Sequence, residues 1–395
     1  MRVICLICLA SALLISLISM GCICPITPFS QPAWSNTFGG SSDDYALSVQ
    51  QTSDGGYIMA GSTESYGAGG ADVWLIKTDS SGNEMWNKTF GGASDDSGYS
   101  VGQTSDGGYI IAGSTYSYGV GDSDMWLIKT DSSGNVAWNK TFGTPYEDHG
   151  NSVQQTSDGG YIVAGWTYSA GAGDSDVWLI KINPLGDETW SKTLGGWHPN
   201  WARSIRFTPG GGYIIVGSTE PYVVGDANML LIKAYASGNE KWHKHFGGSG
   251  DDYGYSVQQT SDGGYIIAGD TFSYGHGNRD AWLIKTDSSG NEMWSKTFGC
   301  SGSDHAESVQ QTGDGGYVIC GSSGSPYDAN RSSYNVRLIK TDSLGNETWS
   351  KKFGGSDSDW GVSVQQTSDG GYVIAGYTRS YGAGSYDAWL MKVSA

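Results

Sequence analysis

The chain has 395 residues, with 40 Asp and Glu against 22 Lys and Arg and a formal net charge of −18. That balance excludes a binder of nucleic-acid backbone, which needs a basic surface, and argues against adsorption of the folded part to anionic lipid. It suits solubility, cation binding or life in salt.

In chain order, Arg2 precedes an uncharged apolar run, Val3–Met20, which has the form of a secretory signal or membrane anchor. Gly21-Cys22 resembles a lipoprotein cleavage site, departing from the usual pattern at Ser19 and Met20. Lipidation of Cys22, simple cleavage and retention as an anchor all remain open. Residues 1–24 therefore read as a leader, residues 25–32 as a short tether, and residues 33–395 as a single repeat domain.

A tryptophan opens each repeat, at Trp34, Trp86, Trp138, Trp190, Trp242, Trp294 and Trp349, spaced 52 apart five times and then 55. Periods of this length belong to solenoids, propellers or arrays. One unit holds four stretches of strand character, Ala46–Thr52, Tyr57–Thr63, Val73–Asp79 and Glu84–Gly91. Ser53-Asp54-Gly55-Gly56 and Ser80-Ser81-Gly82-Asn83 join them as tight turns. No stretch has helical periodicity, and runs such as Trp74-Leu75-Ile76 are apolar on both faces, as in a sheet packed between two others. The last unit stops at Ala395, lacking its W-x-K-T-F strand; Ala33–Gly40 supplies that element at the other end. The predicted fold is all-β: a seven-bladed β-propeller of four-stranded blades, closed by the N-terminal strand completing the last blade.

With strands A to D running from the axis outward, the A–B and C–D turns share one face of the disc. The longer, acidic and aromatic B–C and D–A loops share the other, and loops of that kind on a rigid scaffold carry function. Recurrent positions serve every blade: the serine series from Ser48 to Ser363, and the acidic position before strand C, Asp72, Asp124, Asp176, Asp280 and Asp387, with Asn228 and Asn335 in the other two units. Asp, Asn and Ser bond backbone N–H groups in loops; the alternative for the aspartates is a set of Ca2+ sites. Positions that break the repeat are the candidates for specificity: Trp166, Trp197, His198, Trp201, Arg203, Arg206 and Trp360. Exposed aromatic rings beside fixed polar groups suit a sugar or a protein hot spot. Glu147 and Asp148 are the least arbitrary carboxylate pair for glycoside chemistry. Cys300 and Cys320 replace a Gly and an Ala, and an exported protein could join them in a disulfide or bury both as thiols.

The unit V-Q-Q-T-S-D-G-G-Y-I-I-A-G-S-T with D-x-W-L-I-K-T-D-S-S-G-N-E-x-W is similar to propeller repeats of archaeal and bacterial surface proteins. It resembles the quinoprotein-like (PQQ-type) and delta-60-type repeats over Ala33–Ala395. The resemblance implies the propeller fold; quinone-dependent dehydrogenases add a vicinal Cys pair, which this chain lacks, so no catalytic residue and no cofactor carries over. The expectation is a secreted or surface-anchored, monomeric binding module for a cell-surface glycan or a protein, meeting the membrane only through its leader. A carbohydrate-active hydrolase or lyase and a purely structural envelope component are the alternatives.

Overall fold

The computed structural model describes residues 28–168, 174–220, 227–324 and 333–395. The leader with Cys22 and most of the insertion after Gly324 lie outside the described residues. The described chain folds into seven four-stranded antiparallel sheets arranged as a seven-bladed propeller, without helices. Blade one is typical: Asp44–Gln51, Tyr57–Thr63, Asp72–Thr78 and Glu84–Phe90.

Closure is made as the sequence implies. Trp34–Phe38 lies antiparallel on the last strand, Asp387–Val393, with Trp34 opposite Lys392 and Phe38 opposite Ala388. The outer strand of blade one has the same register, Trp86 opposite Lys77 and Phe90 opposite Val73. Ahead of it the chain lies against the outer strand of blade six, where the Ser30 N–H donates to the Lys352 carbonyl at 2.7 Å.

The core is built between blades rather than within them. Strands B and C of blade one are buried at every position, and seven apolar clusters each span two neighbouring sheets. The tryptophan that opens each repeat meets the Tyr that follows the next blade's A–B turn. Trp34–Tyr57 and Trp86–Tyr109 have ring centroids 5.8 Å apart, a geometry worth about 0.5–1.5 kcal/mol beyond area burial. Gly82 lies beneath the Trp34 ring at φ 80°, so it is required both for the turn and for the close approach.

A second inter-blade set lines the axis. The invariant serines accept the N–H of the next innermost strand: Val49 N–H donates to Ser363 Oγ at 3.2 Å, and Val101 N–H to Ser48 Oγ at 3.2 Å. Two residues on, Gln51 N–H donates to Gln365 Oε1 and Gln103 N–H to Gln50 Oε1, both at 2.6 Å. The exposed edge of every A strand would otherwise carry unpaired donors. This explains the V-Q-Q run of the repeat.

The cysteine expectation is corrected. Cys300 is disulfide-bonded, but Cys320 is a free buried thiol, so the two are not joined. Cys320 sits mid-strand opposite Ser308 and packs into the cluster shared with blade seven, whereas Cys300 lies in the D–A loop beyond Phe298. Burial pushes the Cys320 thiol above its ordinary range.

Candidate functional site

The axial channel changes character along its length. Toward the short-turn face the lining repeats from blade to blade; toward the long-loop face it diverges. A β-bulge between Ala46 and Ser48, repeated in blades two to five and blade seven, is where the change begins. It adds a residue just before the invariant serine, Leu47, Tyr99, Asn151, Arg203, Tyr255 and Val362, and Glu307 holds the equivalent position in blade six, so seven repeats carry six residue types there.

On one side of the mouth, blades two to five enclose a cavity of about 380 Å3 lined by Tyr99, His149, Trp166, Trp201, Arg203 and Tyr253, with Asn151, Ser218 and Glu220 beside them. The His149 ring stacks on Trp166 at 4.3 Å and 15°. Burial, reinforced by the Arg203 charge, holds the His149 imidazole down at about 4, so it is neutral at physiological pH. Its Nε2 is buried without a hydrogen-bond partner. Asn151 Nδ2 donates to the Ala202 carbonyl at 2.7 Å, tying blade three to blade four beneath the cavity.

Across the mouth lies an ion network. Asp270, fully buried, stands where four blades carry serine. Its Oδ2 is 2.8 Å from His305 Nδ1 and 3.5 Å from Arg279 Nη1, and its Oδ1 accepts the Ala306 N–H at 3.0 Å. Two residues beyond His305, Glu307 faces the same space. Burial and the Asp270 charge raise its carboxyl to about 7, against the opposing pull of His305, Arg203 and Arg279. An aromatic wall continues this side: His305–Trp360 at 5.2 Å, Tyr334–Trp360 at 4.5 Å, Trp360–Tyr377 at 6.2 Å and Tyr45–Tyr377 at 4.8 Å.

Of the residues singled out from sequence, Trp166, Trp201 and Arg203 share the cavity, and Trp360 belongs to the opposite wall. Trp197 is 79% exposed on the D–A loop entering blade four. His198 lines a separate outer pocket of about 170 Å3 with His243 and His245. Arg206 lies deeper in the channel. The acidic series caps its own loops: Asp72 accepts the Ala68 N–H at 2.7 Å, Asp124 that of Val120 at 2.9 Å, Asp280 that of Gly277 at 2.8 Å and Asp387 that of Ala383 at 3.0 Å. Asp176 is buried at the equivalent position. Among the described residues no three His, Cys, Asp or Glu side chains are placed to hold a metal ion. Asp148 is buried, and its Oδ2 accepts the Thr144 N–H and hydroxyl at 2.7 and 2.8 Å.

Asp270, His305 and Glu307 were not anticipated from sequence. The signal that marks them is divergence in columns flanked by recurrent residues, Asp270 inside the strand Tyr265–Thr271 and His305 and Glu307 just ahead of Ser308–Gln311.

No family model and no curated protein matches the sequence. Among solved structures, the chain is similar to the Neurospora crassa Pan2 WD40 domain, at TM-score 0.53 and 11% identity over 92% of this chain and 97% of that one. It is also similar to BBS1N in complex with ARL6DN, at TM-score 0.51 and 10% identity over 91% and 96%. At such identities the likeness is one of fold: the chain shares the propeller architecture of WD40-type domains.

Proposed function

We propose that this propeller is a binding module whose ligand seats at the long-loop mouth of the axial channel, and that the ligand is a glycan. The observation that carries this reading is the Trp166–Trp201 cavity, where aromatic rings surround Arg203, Asn151 and Glu220. Flat apolar rings with a few fixed polar groups are what a sugar ring needs. The apolar leader, with Cys22 as a lipidation candidate, and the resemblance to surface-protein repeats support a location outside the cell.

The test is migration of the full chain through gels cast with a panel of polysaccharides. Selective retardation that disappears in the Trp166→Ala, Trp201→Ala double variant, with an unchanged circular dichroism spectrum, is the expected result. Equal retardation of the double variant, or none of the wild type in any gel, would set the glycan reading aside and favour a protein ligand.

The Glu307 carboxyl, raised to about 7 beside Asp270, favours a second reading, a hydrolase or lyase acting at the same mouth. A general acid–base group works best near the operating pH. Release of reducing sugar from a retarding polysaccharide, abolished in Glu307→Gln, would establish it.

A further inference from the structure

Below the mouth, the channel widens into a cavity of about 450 Å3 whose lining contains no Asp or Glu, in a chain with 40 of them. One layer of this lining comes from equivalent positions of the seven A strands: Gln50, Gly102, Gln154, Arg206, Gln258, Gln310 and Gln365. Each glutamine uses its carbonyl oxygen to accept a backbone N–H of the following blade, at 2.6 Å from Gln50, Gln258, Gln310 and Gln365 and 3.2 Å from Gln154. That bond fixes the orientation of the amide, so five NH2 groups remain as donors facing the channel. The serine layer acts in the same sense. Having accepted an amide N–H, the hydroxyls of Ser48, Ser100 and Ser363 keep their own hydrogens to donate.

Into this ring of donors blade four places a guanidinium. Among the described residues, the only hydrogen bond of Arg206 is from Nη1 to the Ile205 carbonyl of its own strand, at 2.9 Å. Burial draws it down from its ordinary range and no carboxylate opposes the effect. A cation half-buried in the channel wall without a counter-charge is poorly compensated. A planar guanidinium with neighbouring NH2 groups is the arrangement that recognises oxyanions in a two-pronged fashion.

We infer that the axial channel of this propeller is an anion-binding site, with Arg206 as its charged anchor and the amide groups of Gln154, Gln258 and their equivalents completing the shell. The class of ligand is a small oxyanion of the sulfate, phosphate or carboxylate type. This inference is independent of the glycan reading: it concerns a different layer of the channel and shares no residue with the mouth cavity.

The test is isothermal titration of the full chain with sodium sulfate, inorganic phosphate and sodium citrate at constant ionic strength, on wild type and Arg206→Gln. The substitution restores the residue that five blades carry and gives the ring an acceptor for the Gln259 N–H that Arg206 cannot provide, so folding is preserved. Expected is one saturable site for at least one anion, an affinity at least tenfold weaker in R206Q, and an anion-free melting temperature of R206Q equal to or above wild type. Sulfate stabilises proteins generally by exclusion from their surface, and that effect is linear in concentration and common to both forms. Melting shifts that never saturate and are identical in the two proteins would overturn the inference, as would undiminished binding in R206Q. A marked loss of stability in anion-free R206Q would also count against it, making Arg206 a structural element instead of a receptor.

Discussion

Blade four departs from the others at its A–B turn, and the departure makes a sharp test of how the blades are held. Elsewhere the lysine of strand C is buried and bridges to the turn aspartate: Lys77–Asp54, Lys129–Asp106 and Lys181–Asp158 at 2.9 Å, with the aspartates 55–64% exposed. The Thr156 hydroxyl and the Lys181 ammonium hold the Asp158 carboxyl at about 2. In blade four Gly210 takes the place of the aspartate, so Lys233 meets no carboxylate there: it donates to the Thr208 hydroxyl at 2.5 Å and, at 3.3 and 3.4 Å, to the Gly211 and Tyr213 carbonyls. Burial, with the Lys241 charge adding to it, drags the Lys233 ammonium down to about 8. Gly210→Asp meets no atom within 4 Å of the added Cβ. The distance from about 8 to the ordinary 10.5 sets a ceiling of ~3 kcal/mol. The equivalent carboxylates are more than half exposed, and solvent screening reduces the expected gain to about 1–2 kcal/mol. At roughly 2 cal/mol/K per residue of unfolding entropy, that is a rise of about 1–3 °C in Tm. The sign with pH follows from linkage. A lysine depressed in the folded state costs stability fully below pH 8, and that cost is relieved as pH rises from 8 to 10.5, so the wild type recovers what the variant already has. Thermal unfolding at pH 7 and pH 10 should show G210D above wild type at the first and converging at the second. A variant no more stable at pH 7, or one whose advantage persists at pH 10, would refute the reasoning.

Three further outcomes are expected. Glu307 binds its proton more tightly folded than unfolded, so the wild type loses stability as pH rises from its ordinary 4.5 to about 7; Glu307→Gln should match it at pH 4.5 and exceed it by ~1 kcal/mol or more at pH 8. A variant less stable at pH 8 would contradict this. Asp124→Asn should cost under ~1 kcal/mol, because Asn228 and Asn335 hold the equivalent position in two blades, and excess chelator should leave Tm unchanged; a chelator-induced fall would revive Ca2+. Trp34→Ala removes the ring that packs on Tyr57 across the closure and should cost about 2–3 kcal/mol, as much as Trp190→Ala inside the ring. A neutral Trp34→Ala would mean that the seam bears none of the fold's stability.

The architecture was legible because its determinants are local and repeated. The D-G-G turn sets the A–B hairpin, the two-sided apolar runs become strands B and C, and the mismatch between the chain's two ends becomes the seam. The serine series was read as bonding backbone, and its partners lie in the adjacent blade, which no single repeat displays. The candidate site was half legible. Trp166, Trp201 and Arg203 are brought together because they interrupt the pattern with aromatic and cationic groups. Asp270, His305 and Glu307 were hidden for a physical reason. Asp270 sits on strand B of blade five, whereas His305 and Glu307 precede the short A strand of blade six, Ser308–Gln311, so they meet only between blades, which no single repeat displays. Cys300 and Cys320 illustrate the reverse error: closeness in sequence within one blade says nothing about which sheet face or loop each occupies.

The seam has a consequence for how this chain behaves in company. Trp34–Phe38 docks on Asp387–Val393 in the register that every other outer strand uses, so nothing in its chemistry distinguishes its own last blade from that of another copy. Intramolecular capture wins only because the strand is covalently part of the same chain, which keeps it at high effective concentration. Refolding at high protein concentration therefore favours exchange of this strand between copies, a head-to-tail contact that closes into small rings or runs on as a chain of propellers.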